Sequence, residues 1–123
     1  MCETSRSNDI KLVDFGLSTK LNPQDEVRVS TATPEFAAPE IADHNPVGFY
    51  SDMWSVGVLA YVLLSGISPF AGKDTLETLS NVSRATYDFS DDAFRDTSDN
   101  AKDFISKLLV KAPECVPLHY LCL

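Results

Sequence analysis

No two cysteines of this sequence stand at metal-ligand or redox spacing. Its three thiols are Cys2, Cys115 and Cys122. Their odd number and positions suggest neither a zinc site nor a disulfide framework, and a reducing intracellular compartment is the expected setting. His44 and His119 have no companion ligand at useful spacing and read as ordinary surface or loop residues. Positive charge is scarce. Ten basic residues face 18 acidic ones, a formal net charge of −8, which argues against nucleic-acid phosphates and anionic membrane surfaces as partners. A solvated acidic surface accounts for the excess, and basic peptides or basic protein faces are compatible with it. The opening segment is polar and has no apolar stretch of signal-peptide type. The most apolar run, Met53 to Leu64, is 12 residues long, whereas a membrane helix needs about 20. Repeats and low-complexity tracts are absent.

What is present is a chain of 123 residues with 44% hydrophobic side chains, enough for one small domain or part of a larger one and too apolar for a disordered tail. Asp9 to Val13 alternates in the manner of a short strand, which Asp14-Phe15-Gly16 then breaks. Residues 17–36 read as a long loop. Ala37 to Asp43 is expected to form a short helix with Pro39 near its start. Asp52 is expected to cap the main helix, Met53 to Ser65, which ends at Gly66. A helix apolar nearly all round should be buried on most sides, which would make it the spine of the domain. After a turn at Pro69 to Gly72, Asp74 and Glu77 have capping-box spacing, and Leu76, Leu79 and Val82 are expected on one face of the helix they open. Residues 86–97 form an acidic loop. Taken as a calcium loop, Asp88 to Asp99 has Ala93 where glycine is needed and Asp99 in place of the closing glutamate. Ser98 opens a further helix with Ala101, Phe104, Ile105, Leu108 and Leu109 inward, Asp99, Lys102, Asp103 and Lys107 outward, and Pro113 as its stop. The tail from Glu114 has no helical period.

The chemistry-bearing segments are specific only as an ordered set. Asp14-Phe15-Gly16 precedes a Ser/Thr-rich loop, then Thr33-Pro34-Glu35-Phe36, Ala38-Pro39-Glu40, Asp52-Met53-Trp54-Ser55-Val56-Gly57, Leu64-Ser65-Gly66 and Ser68-Pro69-Phe70. This series resembles the eukaryotic protein kinase domain from its D-F-G motif to a late helix of its C-terminal lobe. Glu35 to Glu40, Pro46 to Tyr50 and Asp52 to Phe70 are most similar to the twitchin, titin and myosin-light-chain-kinase group. The resemblance covers residues 8 to about 111. It implies a mainly α fold: a partial C-lobe with a short strand and an activation loop in residues 1–111, followed by a divergent tail in 112–123.

The resemblance implies roles residue by residue. Asp14 matches the carboxylate that holds Mg²⁺ against the ATP phosphates; a hard cation takes oxygen ligands. Phe15 is expected to pack beneath that site, and Gly16 to let the backbone change state. Ser30, Thr31 and Thr33 fall where the activation loop meets the substrate segment, which runs on through Pro34, Glu35, Phe36, Ala38, Pro39 and Glu40. Phosphorylation there would order the loop, but an unmodified loop is the preferred reading, because kinases of this type are commonly held by a C-terminal autoinhibitory segment. Thr33 matches a hydroxyl that orients the catalytic loop. Ala32 replaces the family's usual glycine. Asp52 matches the residue that holds the catalytic-loop backbone, and it serves equally as a helix cap. Trp54, Gly57, Val58 and Tyr61 are structural. Glu40 matches a carboxylate that normally pairs with an arginine shortly after Pro113, yet the sequence there reads Glu114-Cys115-Val116-Pro117.

The 123 residues hold no G-x-G-x-x-G loop, no ATP-pairing lysine with its helix glutamate and no H-R-D-x-x-x-x-N loop, so the catalytic aspartate is absent. The expectation is a Ser/Thr protein kinase fragment. Its parent would use ATP and Mg²⁺ on a protein substrate, in the cytoplasm or on the sarcomeric cytoskeleton, while this stretch alone would be catalytically incompetent. The alternative is a truncated, non-catalytic isoform acting as a protein-binding module. Marginal stability or aggregation is expected of the isolated chain.

Overall fold

The computed structural model describes residues 9–22 and 26–111. Four α-helices follow one another: α1, Pro39–Ala42; α2, Phe49–Ser65; α3, Thr75–Arg84; and α4, Asp99–Leu108. Short 3-10 turns at Pro34–Phe36 and Asp92–Phe94 complete the regular structure of the described residues. Among the described residues there is no β-strand. The stretch expected as a strand is irregular apart from an isolated bridge residue at Ile10. Its apolar side chains Ile10, Leu12 and Val13 lie in solvent, so no described residue covers them.

The helix boundaries follow local chemistry. Gly48, rather than Asp52, is the N-cap of α2. The Ser51 hydroxyl accepts from the Gly48 amide at 3.1 Å, and the helix begins four residues earlier than expected. Asp52 therefore lies inside the helix with its side chain exposed. Gly66 ends α2 in the left-handed conformation, φ 75°, and its amide bonds to Val62 O at 2.7 Å. Asp74 caps α3 by accepting from the Glu77 amide at 2.8 Å, while the Glu77 carboxylate accepts from Lys73 N–H at 2.7 Å. Ser98 caps α4 by accepting from the Ala101 amide. That helix ends at Leu108, well before Pro113. The stop assigned to Pro113, and the tail itself, lie outside the described residues.

α2 is the organising element, packed against α4 and against both 3-10 turns, while α3 covers α1. The core unites Trp54, Val58 and Tyr61 of α2 with Ala38, Phe70, Val82, Phe94, Ile105 and Leu109. Trp54 stacks on Phe70 with ring centroids 5.3 Å apart. Tyr61 meets Phe94 edge-on at 4.7 Å, and Phe94 meets Phe89 at 5.0 Å. The acidic loop 86–97 thus supplies part of the core through Tyr87, Phe89 and Phe94.

Three expectations about helix faces need correction, the first on α4, where Phe104, expected inward, is 43% exposed while Ile105 and Leu108 are buried. α2 is buried on one side only: Val56, Leu59, Leu63 and Leu64 are solvent-exposed, Leu63 at 75%. Its apolar character all round exceeds what the described residues can cover. On α3 the buried pair is Thr78 and Val82, with Leu79 half-buried and Leu76 at 79% exposure. Positions 76 and 82 lie about 120° apart around a helix of 3.6 residues per turn and cannot share a face. No helix of the described residues is long and apolar enough to cross a membrane.

Candidate functional site

The expected site residues fall into two regions. The first is the Asp14 turn. Asp14 takes a left-handed backbone, φ 67°, which is tolerated by Asp more readily than by bulkier residues. The turn closes when the Ser18 amide and hydroxyl both donate to Phe15 O, at 3.1 and 2.7 Å. Asp14 is exposed. Phe15, expected to pack beneath the site, is 66% exposed, because no described residue lies where it could be covered.

The second region is the segment 33–40, which is anchored far better. Thr33 O accepts from the Phe36 and Ala37 amides at 3.0 and 3.1 Å, forming the first 3-10 turn. Exposure falls steadily along it: Thr31 and Thr33 are exposed, Pro34, Glu35 and Phe36 half-buried, and Ala37 to Glu40 buried. Farther back, Val27 O accepts from the Val47 amide at 2.8 Å, and the Arg28 guanidinium donates to His44 O. These bonds tie the loop before the turn to the loop after α1.

One groove borders this segment and a second lies beside it. One, of about 200 Å³, is lined by Val29, Ala32, Pro34, Ala37, Ile41 and Leu79 and opens between the segment and α3. The other, of about 190 Å³, runs from Leu17 and Leu21 to Val47, Ser51 and Asp52. It brings the loop after Gly16 beside the start of α2. Asp14 lines neither of these two grooves.

Glu40 is buried, with 9% of its surface exposed. Among the described residues no cation pairs with it. Instead Ser51 Oγ donates a short hydrogen bond to Glu40 Oε1. One turn along α2, Ser55 Oγ donates to Phe36 O at 2.9 Å. Sequence reasoning passed over both serines. The available signal was two small polar residues, four apart, in a helix otherwise almost wholly apolar. Trp54 lies between them in the core, and its indole Nε1 has no partner among the described residues.

The protein kinase domain family matches residues 1–115. The chain belongs to that family. The chain is 51% identical over 111 residues to the smooth-muscle myosin light chain kinase of Gallus gallus, an alignment covering 90% of this chain and 6% of that protein. Its fold matches the twitchin kinase region from C. elegans with a TM-score of 0.83 at 55% identity, covering 89% of this chain and 20% of that one. It also matches the autoinhibited serine kinase domain of the giant muscle protein titin, with a TM-score of 0.86 at 41% identity, covering 94% of this chain and 36% of that one. The chain therefore spans a minor part of each relative.

Protein kinases use ATP and Mg²⁺. In this chain no group of three His, Cys, Asp or Glu side chains among the described residues could hold a metal. Asp14 is a single exposed carboxylate on a turn. The donor set present here does not by itself fit Mg·ATP.

Proposed function

We propose that this chain is part of the C-terminal lobe of a Ser/Thr protein kinase that transfers the ATP γ-phosphate to a protein substrate. Residues 1–111 supply the kinase lobe and 112–123 form a divergent tail. The observation that carries the reading is the 51% identity to a myosin light chain kinase over 111 residues. The ordered series from Asp14 to Phe70 supports it. On this reading Asp14 is the Mg²⁺ ligand, Gly16 the permissive position after it, Thr31 to Glu40 the substrate-facing segment, and Asp52 the support of a catalytic loop outside this chain. Trp54 and Gly57 hold the core. The setting is cytoplasmic and sarcomeric, and an autoinhibitory segment of the longer protein regulates access.

The test is phosphate transfer from ATP to a Ser/Thr peptide, by the 123-residue chain and by a longer protein containing it. The longer protein is expected to be active and to lose roughly 100-fold or more in rate on Asp14→Ala. The chain alone is expected to transfer none. Transfer by the chain that disappears with Asp14→Ala would overturn the incompetence assigned to it. An inactive longer protein would overturn the kinase reading. A native product of this short length would favour the second reading, a truncated non-catalytic isoform acting as a protein-binding module, for which the uncovered apolar stripe of α2 is the supporting observation.

A further inference from the structure

The two serines of α2 grip one segment at two points. Ser51 is buried at 6% exposure. Its oxygen accepts from the Gly48 amide at 3.1 Å and its hydroxyl donates to the buried Glu40 carboxylate. Ser55 donates to Phe36 O at 2.9 Å, with a longer contact to Ser51 O within its own helix at 3.4 Å. Residues four apart on a helix stand one above the other. The points they hold, Phe36 and Glu40, are also four residues apart. Ala37, Ala38 and Pro39 run buried between them.

A polar group in an apolar interface is costly unless it is bonded. Here each hydroxyl finds its partner across the interface, so the bonds form only when the segment is seated. Attachment at one point would leave the segment free to pivot, whereas attachment at two fixes its direction as well. A buried carboxylate with no cation also needs a charge-assisted donor, and such bonds are stronger than neutral ones.

We propose that Ser51 and Ser55 are positioning residues that set the 36–40 segment on α2. Ser51 takes the place of a cation for Glu40. Neither serine touches substrate; they act through Phe36 and Glu40. The consequence for substrate binding rests on the kinase reading above, but the clip itself does not.

Amide hydrogen exchange on the 123-residue chain reads the clip directly. Ala37, Ile41, Ala42 and Asn45 have amides bonded within or just after the segment. Ser51→Ala and Ser55→Ala are expected to speed their exchange about tenfold while leaving α4 unchanged. Ser55→Thr, which keeps the hydroxyl, is expected to restore protection. Glu40→Gln keeps an acceptor oxygen and is expected to hold. Equal acceleration in α3 and α4 would mean a general stability role and overturn the proposal. So would loss of protection in Glu40→Gln with none in Ser51→Ala, which would mean that a cation outside the described residues holds Glu40. Should Ser51→Ala fail to fold, the Ser55 pair carries the same test. In an active longer protein the same alanine variants are expected to raise KM for the peptide several-fold and leave KM for ATP unchanged. An unchanged peptide KM overturns the positioning role. An inactive longer protein with local exchange changes defeats only the kinase reading.

Discussion

Gly57 of α2 faces Leu109, just beyond α4, with no room between them for a methyl group. A Cβ built on Gly57 would stand 2.9 Å from Leu109 Cδ2 and 2.9 Å from Leu108 Cβ. The α2–α4 packing depends on this close approach. Gly57→Ala gains about 1 kcal/mol of helix propensity but forces two buried leucines apart, at about 1–3 kcal/mol. The Leu108 Cβ is fixed to its backbone and cannot swing aside, so the clash is expected to win. A lower urea midpoint with an unchanged slope would register it.

His44 is exposed and held at φ 56°. The left-handed region costs a residue with a Cβ about 1 kcal/mol or more. His44→Gly is expected to stabilise the chain by about 0.5–1 kcal/mol, because the bond from Arg28 is to the His44 carbonyl and survives. Thermal unfolding should show a higher midpoint.

Tyr61 donates to Asp88 O at 2.9 Å from within the aromatic cluster. Burial pushes its phenol pKa above the usual 10.0, with the charges of Asp88 and Asp91 adding to the effect. The folded state therefore keeps this proton where the unfolded state has lost it. Stability is unaffected below about pH 10 and falls as pH rises above that value. Tyr61→Phe should remove this part of the alkaline slope, measured by denaturant titration from pH 8 to 11. It should also cost about 1 kcal/mol at neutral pH through the lost bond.

The exposed stripe Val56, Leu59 and Leu63 on α2 is an association surface for the isolated chain. Leu59→Glu with Leu63→Lys should reduce aggregation in light scattering at equal protein concentration. The unfolding midpoint should change little, because both side chains are exposed at the outset. Persistent aggregation would place the liability elsewhere.

Where one residue's chemistry decides a local structure, the sequence was readable. Asp74 and Ser98 cap the helices assigned to them, Gly66 ends α2, and Pro39 opens α1. The inward positions Trp54, Val58, Tyr61, Ile105 and Leu109 were also legible from period and composition. Legibility failed where a neighbour decides. Asp9 to Val13 alternates correctly, but a strand needs a partner, and the described residues supply none. Phe15 needs a surface to pack on. Tyr87, Phe89 and Phe94 were hidden by the aspartates around them: loop charge masked aromatic rings that reach the core, Phe94 from a 3-10 turn and Tyr87 and Phe89 from the irregular stretch before it. At the candidate site, the buried carboxylate of Glu40 was flagged by its motif. Its serine partner was not, since a serine in a helix carries little signal until its hydroxyl is seen to point at something.

The one-sided burial of α2 has a consequence for mutational tolerance. A saturation scan on these 123 residues should score Leu59 and Leu63 as open to almost any side chain and Trp54 and Val58 as closed. The same scan on a longer protein that covers the stripe should close Leu59 and Leu63 as well. Subtracting one tolerance map from the other would trace the seam where the remainder of the lobe rests on this helix, one residue at a time and without a structure of the whole.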